Sequence, residues 1–340
     1  MAILAGLPRL VALAHPKSFA GVHTVSMRTA PSGDTRVAGV IGDPVRHSLS
    51  PALHNAGFAH LGLDWTYVAF EVPAGGGADA VAAMRALGID GLSVTMPLKA
   101  EVAEACDELS PIAGLLGAVN CVRHRRGLLV GENTDGAGFV NSLRQQVDAE
   151  FAGQRVTVLG AGGAARAVIV ALAAEGASVT VVNRSPDAAE RAAALGVSAG
   201  RIAAAASGAR RGSTTVEKSG GAVEKSGGAA EDRPRGTAAV GGPESASEAD
   251  VVVNATPLGM ADGDPMPIDP TLLRGNQIVV DLIYRPARTP LLDAAAQAGA
   301  TTLNGVGMLL FQAAEQFKMW TGRDAPVDVM AAAVGLDIAG

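Results

Sequence analysis

The run Val156-Thr157-Val158-Leu159-Gly160-Ala161-Gly162-Gly163-Ala164-Ala165-Arg166 restricts the fold more than any other part of the chain. Its first four residues suit a buried strand, its glycines interrupt regular structure, and its alanines favour a helix. A strand, a glycine turn and a helix in that order open a βαβ unit, which builds a parallel sheet. Gly160 permits the tight turn, Gly162 lets the backbone approach a pyrophosphate, and Ala165 is small enough for close helix–strand packing. The helix N-terminus, with unpaired N–H groups at its positive dipole end, then faces the phosphates.

The next strand of that unit ends Val181-Val182-Asn183-Arg184-Ser185. No carboxylate stands there to accept from a ribose 2′-hydroxyl, whereas the Arg184 guanidinium would welcome a 2′-phosphate. NADP is therefore the expected cofactor. Further apolar runs at 251–254 and 278–282 read as strands of the same sheet.

A second α/β rhythm precedes this one. Residues 37–41, 65–72 and 91–96 are strand-like; 50–61, 79–87 and 97–107 are helical, with Pro51 in a first turn where proline is tolerated. A parallel sheet is expected here too. Residues 119–130 have β-rich ends around Arg123-His124-Arg125-Arg126-Gly127, a hairpin signal, and a helix at 138–146 leads to a linker at 148–153. The terminal helices, 307–320 and 327–334, follow a sheet already complete, so they are expected to pack back on the first domain.

Residues 1–36 read as a poorly ordered extension. Residues 206–247 read as a flexible Gly/Ser-rich insertion, in which Val-Glu-Lys-Ser-Gly-Gly-Ala occurs at 216–222 and again at 223–229.

Composition narrows the partners. With 48% hydrophobic and 18% charged residues the chain buries a real core, and its net charge of −6 argues against a nucleic-acid partner. Cys106 and Cys121 make neither a CxxC nor a zinc spacing, so no metal is expected and a reducing cytoplasm fits. No apolar run approaches the roughly 20 residues that cross a bilayer.

Polar residues cluster where the strands of the first domain end. Ser48-Leu49-Ser50-Pro51 places two hydroxyls at a loop-to-helix transition, and a cap role accounts well for Ser50 but leaves Ser48 free. Ser93-Val94-Thr95-Met96-Pro97-Leu98-Lys99 sets a lysine just beyond a strand end; Asn120 and Asn133-Thr134-Asp135-Gly136 follow. Each alone reads as turn or surface chemistry.

Together these pieces, with Asn-Ala-Thr-Pro-Leu-Gly-Met at 254–260 and Gly-Met-Leu-Leu-Phe-Gln at 307–312, resemble the shikimate dehydrogenase family over nearly all of 37–334. The resemblance implies a two-domain α/β fold with a cleft between the domains. An N-terminal substrate-binding α/β domain would span 37–147 plus about 306–336, and a Rossmann-like NADP-binding domain 153–305. It places Ser48, Ser50, Thr95, Asn120, Asp135 and Gln312 on the hydroxyls and carboxylate of shikimate, with Tyr284 at the cleft edge. Gly160, Ala161, Gly162, Gly163, Ala164, Asn183, Arg184, Ser185, Thr256, Gly305 and Met308 would surround NADP.

Lys99 and Asp135 would be catalytic. Hydride transfer to a carbonyl leaves an alkoxide, so a positioned acid must supply a proton, and an ammonium also stabilises the developing charge. The implied activity is reversible, NADP-dependent reduction of 3-dehydroshikimate to shikimate in aromatic amino-acid biosynthesis, by a monomer or homodimer. A quinate or dual dehydrogenase using NAD(P), and a non-catalytic cofactor-binding paralogue, are the alternatives.

The chain departs from the family pattern in three places. Ser93 stands where many members carry asparagine, which predicts a missing or water-replaced contact in the pocket wall. The next basic residue after Arg184 is Arg191, which weakens the grip on a 2′-phosphate, and the insertion is expected to shield the adenosine edge.

Overall fold

A computed structural model describes residues 30–212 and 236–336. The first half of the chain runs β1 (Arg36–Gly42), α1 (Ser50–His60), β2 (Trp65–Glu71), α2 (Gly77–Leu87), β3 (Gly91–Val94), α3 (Lys99–Ala105), β4 (Glu108–Leu109), α4 (Pro111–Leu116), β5 (Cys121–Arg125), β6 (Leu128–Glu132) and α5 (Asp135–Val147). Its six strands form one sheet in the order β2-β1-β3-β5-β6-β4.

The expected parallel sheet is a mixed one. β1 pairs in parallel with β2 and β3, but β5 runs antiparallel to both β3 and β6. The cause lies in the connection. After α4 the chain returns beside the start of α3, where Val119 N donates to Lys99 O (2.8 Å), and Val94 N donates to Asn120 O (2.8 Å). It thus enters the sheet at the C-terminal end of β3 and can only run back. Arg126 and Gly127, at φ 52° and 82°, close the predicted hairpin, as a two-residue turn with positive φ at both positions requires.

The second half runs β7 (Arg155–Leu159), α6 (Gly163–Ala174), β8 (Ser178–Val182), α7 (Pro186–Gly212), β9 (Thr237–Val240), β10 (Val251–Asn254), β11 (Ile278–Asp281), α8 (Pro290–Gln297) and β12 (Thr301–Leu303), with short 3-10 turns at Pro243–Ser247 and Pro270–Leu272. All its pairings are parallel, in the order β12-β11-β10-β7-β8-β9. The order reverses between β7 and β10, so the C-terminal ends of those strands frame the crevice in which such sheets bind ligands.

Part of the expected insertion is regular structure. α7 continues to Gly212, and Thr237–Val240 adds β9 to the sheet edge, where Thr237 N also donates to Ala177 O (3.0 Å). Pairing with β8 satisfies backbone groups that composition alone assigns to solvent. The tandem repeat lies outside the described residues, as do residues 1–29 of the N-terminal extension.

The chain ends with α9 (Val306–Thr321) and α10 (Val327–Ala332), and both return to the first sheet as predicted. Phe317, Trp320 and Met330 are buried with Leu53, Phe58, Trp65 and Tyr67 of α1 and β2, at about 1.5–3 kcal/mol for each large apolar side chain removed from water.

α5 joins the halves. A Cβ at Gly138 would lie 2.5 Å from the backbone N of Gln312, and one at Gly136 would lie 2.6 Å from Ala167 O. Only glycine at those places lets α9 and α6 pack against opposite faces of one helix.

Candidate active site

The site is assembled at the C-terminal ends of β3 and β1. Lys99 is the first residue of α3, where a cation faces the helix's own positive end, and Asp135 is the first residue of α5, the favourable end for an anion. Lys99 Nζ donates to Asp135 Oδ2 at 2.6 Å. The two side chains are 27% and 11% exposed, so the pair is sheltered yet open to the cleft. The helix of Asp135 begins three residues before its predicted start at 138, because Asn133 Oδ1 accepts from Asp135 N (3.2 Å) and organises the turn.

Buried Asn120 orients the carboxylate. Its Nδ2 donates to Asp135 Oδ1 (2.7 Å) and Thr134 Oγ1 (3.0 Å), while its Oδ1 accepts from Thr134 N (2.8 Å). Asp135 is therefore held on one oxygen by an amide and on the other by an ammonium.

Lys99 and Asp135 line a cavity of about 530 Å³. Ser48, Ser50, Thr95, Asn120, Tyr284 and Gln312 line it too, so every residue predicted for the substrate reaches one space. Ser50 does not cap α1: it is the first helical residue, Leu49 occupies the cap position without a side-chain bond, and Ser48 Oγ accepts from Ser50 N (3.2 Å). Pro51 at the second position fixes that register.

Three of the residues assigned to the cofactor, Ala164, Gly305 and Met308, line the same cavity. The others follow strand ends of the second sheet. Gly160 adopts φ +113°, and a Cβ there would sit 3.1 Å from Ala255 O, so the turn after β7 requires glycine. Gly162 is the N-cap of α6, with no side-chain cap, and nothing lies within 4 Å of a Cβ placed on Gly162 or Gly163. The first N–H groups of α6 thus face open space, the arrangement that accepts a pyrophosphate. Thr256 is tied down, its Oγ1 donating to Asn254 Oδ1 (2.7 Å). Asn183 Nδ2 donates to Ser185 O (3.1 Å), which shapes the turn beside exposed Arg184.

Behind the loop after β10, buried Asp281 accepts from Asn254 Nδ2 (3.0 Å), Ile283 N (3.1 Å) and Thr289 Oγ1 (2.7 Å). Burial raises its pKa above the ordinary carboxylate value, although these bonds pull the other way.

Two features escape sequence reasoning. Gln316, almost fully buried, touches Ser93, Asn120, Thr134 and Gln312 at once. Its spacing of four from Gln312 was the available signal, since such residues share a helix face. Ser93 leaves no gap in the wall, because it accepts from Tyr67 Oη (2.6 Å) and donates to Gln316 Oε1.

Known protein families match three stretches of the chain. The family described as the shikimate dehydrogenase substrate binding domain matches residues 40–122, shikimate / quinate 5-dehydrogenase matches 142–203, and the shikimate 5'-dehydrogenase C-terminal domain matches 305–334. Shikimate dehydrogenase (NADP(+)) of Methanopyrus kandleri is 43% identical over 316 residues, covering 91% of this chain and 98% of that protein. The chain belongs to the shikimate dehydrogenase family.

Two solved relatives have the same fold. Shikimate 5-dehydrogenase from Listeria monocytogenes, in complex with shikimate and NAD, superimposes with a TM-score of 0.76 at 32% identity, covering 91% of this chain and 99% of that one. Quinate dehydrogenase from Corynebacterium glutamicum, in complex with NAD, gives 0.72 at 28% identity, covering 88% of this chain and 98% of that one. Among the described residues, no helix is long and apolar enough to cross a membrane, and no cluster of His, Cys, Asp and Glu could hold a metal ion.

Proposed function

We propose that this chain catalyses the reversible, NADP-dependent reduction of 3-dehydroshikimate to shikimate, a step of the shikimate pathway. The observation that carries the reading is the Lys99–Asp135 pair at 2.6 Å, facing a cavity lined from both sheets' elements. Bound NADPH supplies the hydride. Lys99 Nζ gives the proton to the carbonyl oxygen as it becomes an alkoxide, and its charge stabilises that oxygen beforehand. Asp135 keeps the ammonium in place and accepts from a ring hydroxyl.

Ser48, Ser50, Thr95, Asn120, Tyr284 and Gln312 hold the remaining hydroxyls and the carboxylate. Such a site rejects analogues lacking a hydroxyl, because its own buried polar groups would then go unpaired. Gly160 to Ala164, Thr256, Gly305 and Met308 receive the dinucleotide, and Asn183, Arg184 and Ser185 its 2′-phosphate. In this reading residues 37–147 with about 306–336 form the substrate domain and 153–305 the cofactor domain. The protein works in the cytoplasm, as a monomer or homodimer and without nucleic acid.

The test is absorbance at the nicotinamide band with shikimate or quinate, each with NADP or NAD. Rapid reduction with shikimate and NADP alone is the expected result. Preference for quinate or NAD would reassign the chain within its family, and no reduction in any mixture would reject the reading.

A further inference from the structure

The inner wall of the cavity holds a run of hydrogen bonds that the proton transfer does not use. Tyr67 Oη, fully buried, donates to Ser93 Oγ at 2.6 Å, and Ser93 donates to Gln316 Oε1. Gln316 Nε2 donates to Gln312 Oε1 at 2.8 Å and faces Asn120 O and Thr134 Oγ1, each at 3.2 Å. Gln312 Nε2 in turn donates to Leu309 O at 2.9 Å. The bonds from Tyr67 through Ser93 and Gln316 to Gln312 all point the same way, from β2 through β3 into α9.

That direction follows from the donor inventory. Burial pushes the Tyr67 phenol's pKa well above its ordinary value, so the phenol stays neutral and gives its one proton to Ser93. Ser93 then passes its own proton to the Gln316 oxygen, which turns the Gln316 amino group toward Gln312. With the Gln312 oxygen turned toward Gln316 and one of its N–H groups spent on Leu309, the remaining N–H is the donor left for the cavity.

We propose that Gln316 is a positioning residue: it hands the polarity of this buried run to Gln312 and so fixes Gln312 as a hydrogen-bond donor toward an oxygen of the bound ring. The inference rests on reading the cavity as the substrate site. It assigns Gln316 to substrate recognition and not to the proton step, because Lys99 and Asp135 keep their own bonds without it. The site then prefers a cyclic polyol carboxylate with an acceptor oxygen facing α9.

The test is steady-state kinetics of the full chain with shikimate varied at saturating NADP, in a cycle of Gln316→Met, Gln312→Ala and the double variant. Gln316→Met should raise the KM for shikimate about tenfold, the size of one lost hydrogen bond, with kcat within about threefold and the KM for NADP unchanged. In the Gln312→Ala background the same change should move KM less than twofold, because its effect runs through Gln312. Ser93→Ala is the second variant should Gln316→Met not fold. It unpairs the Gln316 oxygen and should raise KM in the same direction, again only while Gln312 is present. Additive effects, or a fall in kcat with KM unchanged, would overturn the inference alone. An unsubstituted chain that does not oxidise shikimate would overturn the functional reading and this inference with it.

Discussion

Replacing Lys99 with methionine removes the ammonium while keeping most of the side chain's length. The loss of a positioned acid is worth about 10²–10⁴ in rate. Here the lower part of that range applies, because the lysine side chain is 27% exposed and water from the cavity can reach the substrate oxygen in its place. The expected fall in kcat is about 10²–10³, or about 2.7–4.1 kcal/mol of transition-state stabilisation. KM should stay within about threefold, because the other groups proposed to read the hydroxyls are untouched. Asp135 would lose the Nζ partner at 2.6 Å but keep the Asn120 amide at 2.7 Å. Stability should therefore drop by about 1–2 kcal/mol, less than the loss on breaking a fully buried pair. Turnover is read from nicotinamide absorbance at saturating ligands, and stability from urea unfolding. A kcat within fivefold of the parent, or a large rise in KM with kcat preserved, would refute the acid role and leave Lys99 as a binding group.

The pair should also behave as a unit: Lys99→Met with Asp135→Asn is expected to lose no more turnover than the worse single variant, whereas fully additive losses would separate their roles. Arg184→Ala should raise the KM for NADP by about tenfold and leave that for NAD within twofold, since in the proposed reading the guanidinium meets only the 2′-phosphate; equal changes would place Arg184 elsewhere. Gly138→Ala should destabilise the fold by about 1–3 kcal/mol in urea unfolding, because its Cβ would meet the Gln312 backbone N at 2.5 Å; an unchanged midpoint would show that α5 and α9 can separate freely.

His54 gives a pH prediction. It is fully buried against Tyr67, with ring centroids 4.4 Å apart, and neither ring nitrogen has a hydrogen-bond partner. Burial lowers its pKa from 6.5 to about 3. A histidine held neutral in the fold takes up a proton only on unfolding between those values. Its stabilising contribution is therefore complete above pH 6.5 and is lost as the pH falls toward 3, at up to about 1.4 kcal/mol per pH unit. Between pH 6.5 and pH 5 the parent should lose about 1.6 kcal/mol more than His54→Phe; parallel stability profiles would contradict this.

Much of the architecture is a local property of the chain. The glycine turn at Gly160, the strand before it and the alanine-rich helix after it need only their own residues, because φ +113° admits little but glycine. The same holds for the Arg126-Gly127 hairpin, whereas Lys99 and Asp135 stand out as candidate chemistry only through the resemblance that their motifs carry together. Tertiary structure decided the rest. The antiparallel course of β5 depends on where α4 delivers the chain beside Lys99, and β9 forms because β8 offers an unpaired edge. The meeting of Lys99 with Asp135 depends on two helix starts from separate parts of the chain, and Gln316 enters the site only because α9 returns across Gly138. Turn propensity acts over a few neighbouring residues, so it can be read along the sequence. A donor's direction or a carboxylate's partner is set by groups far away in the chain, and it exists only once the core has brought them within hydrogen-bond reach.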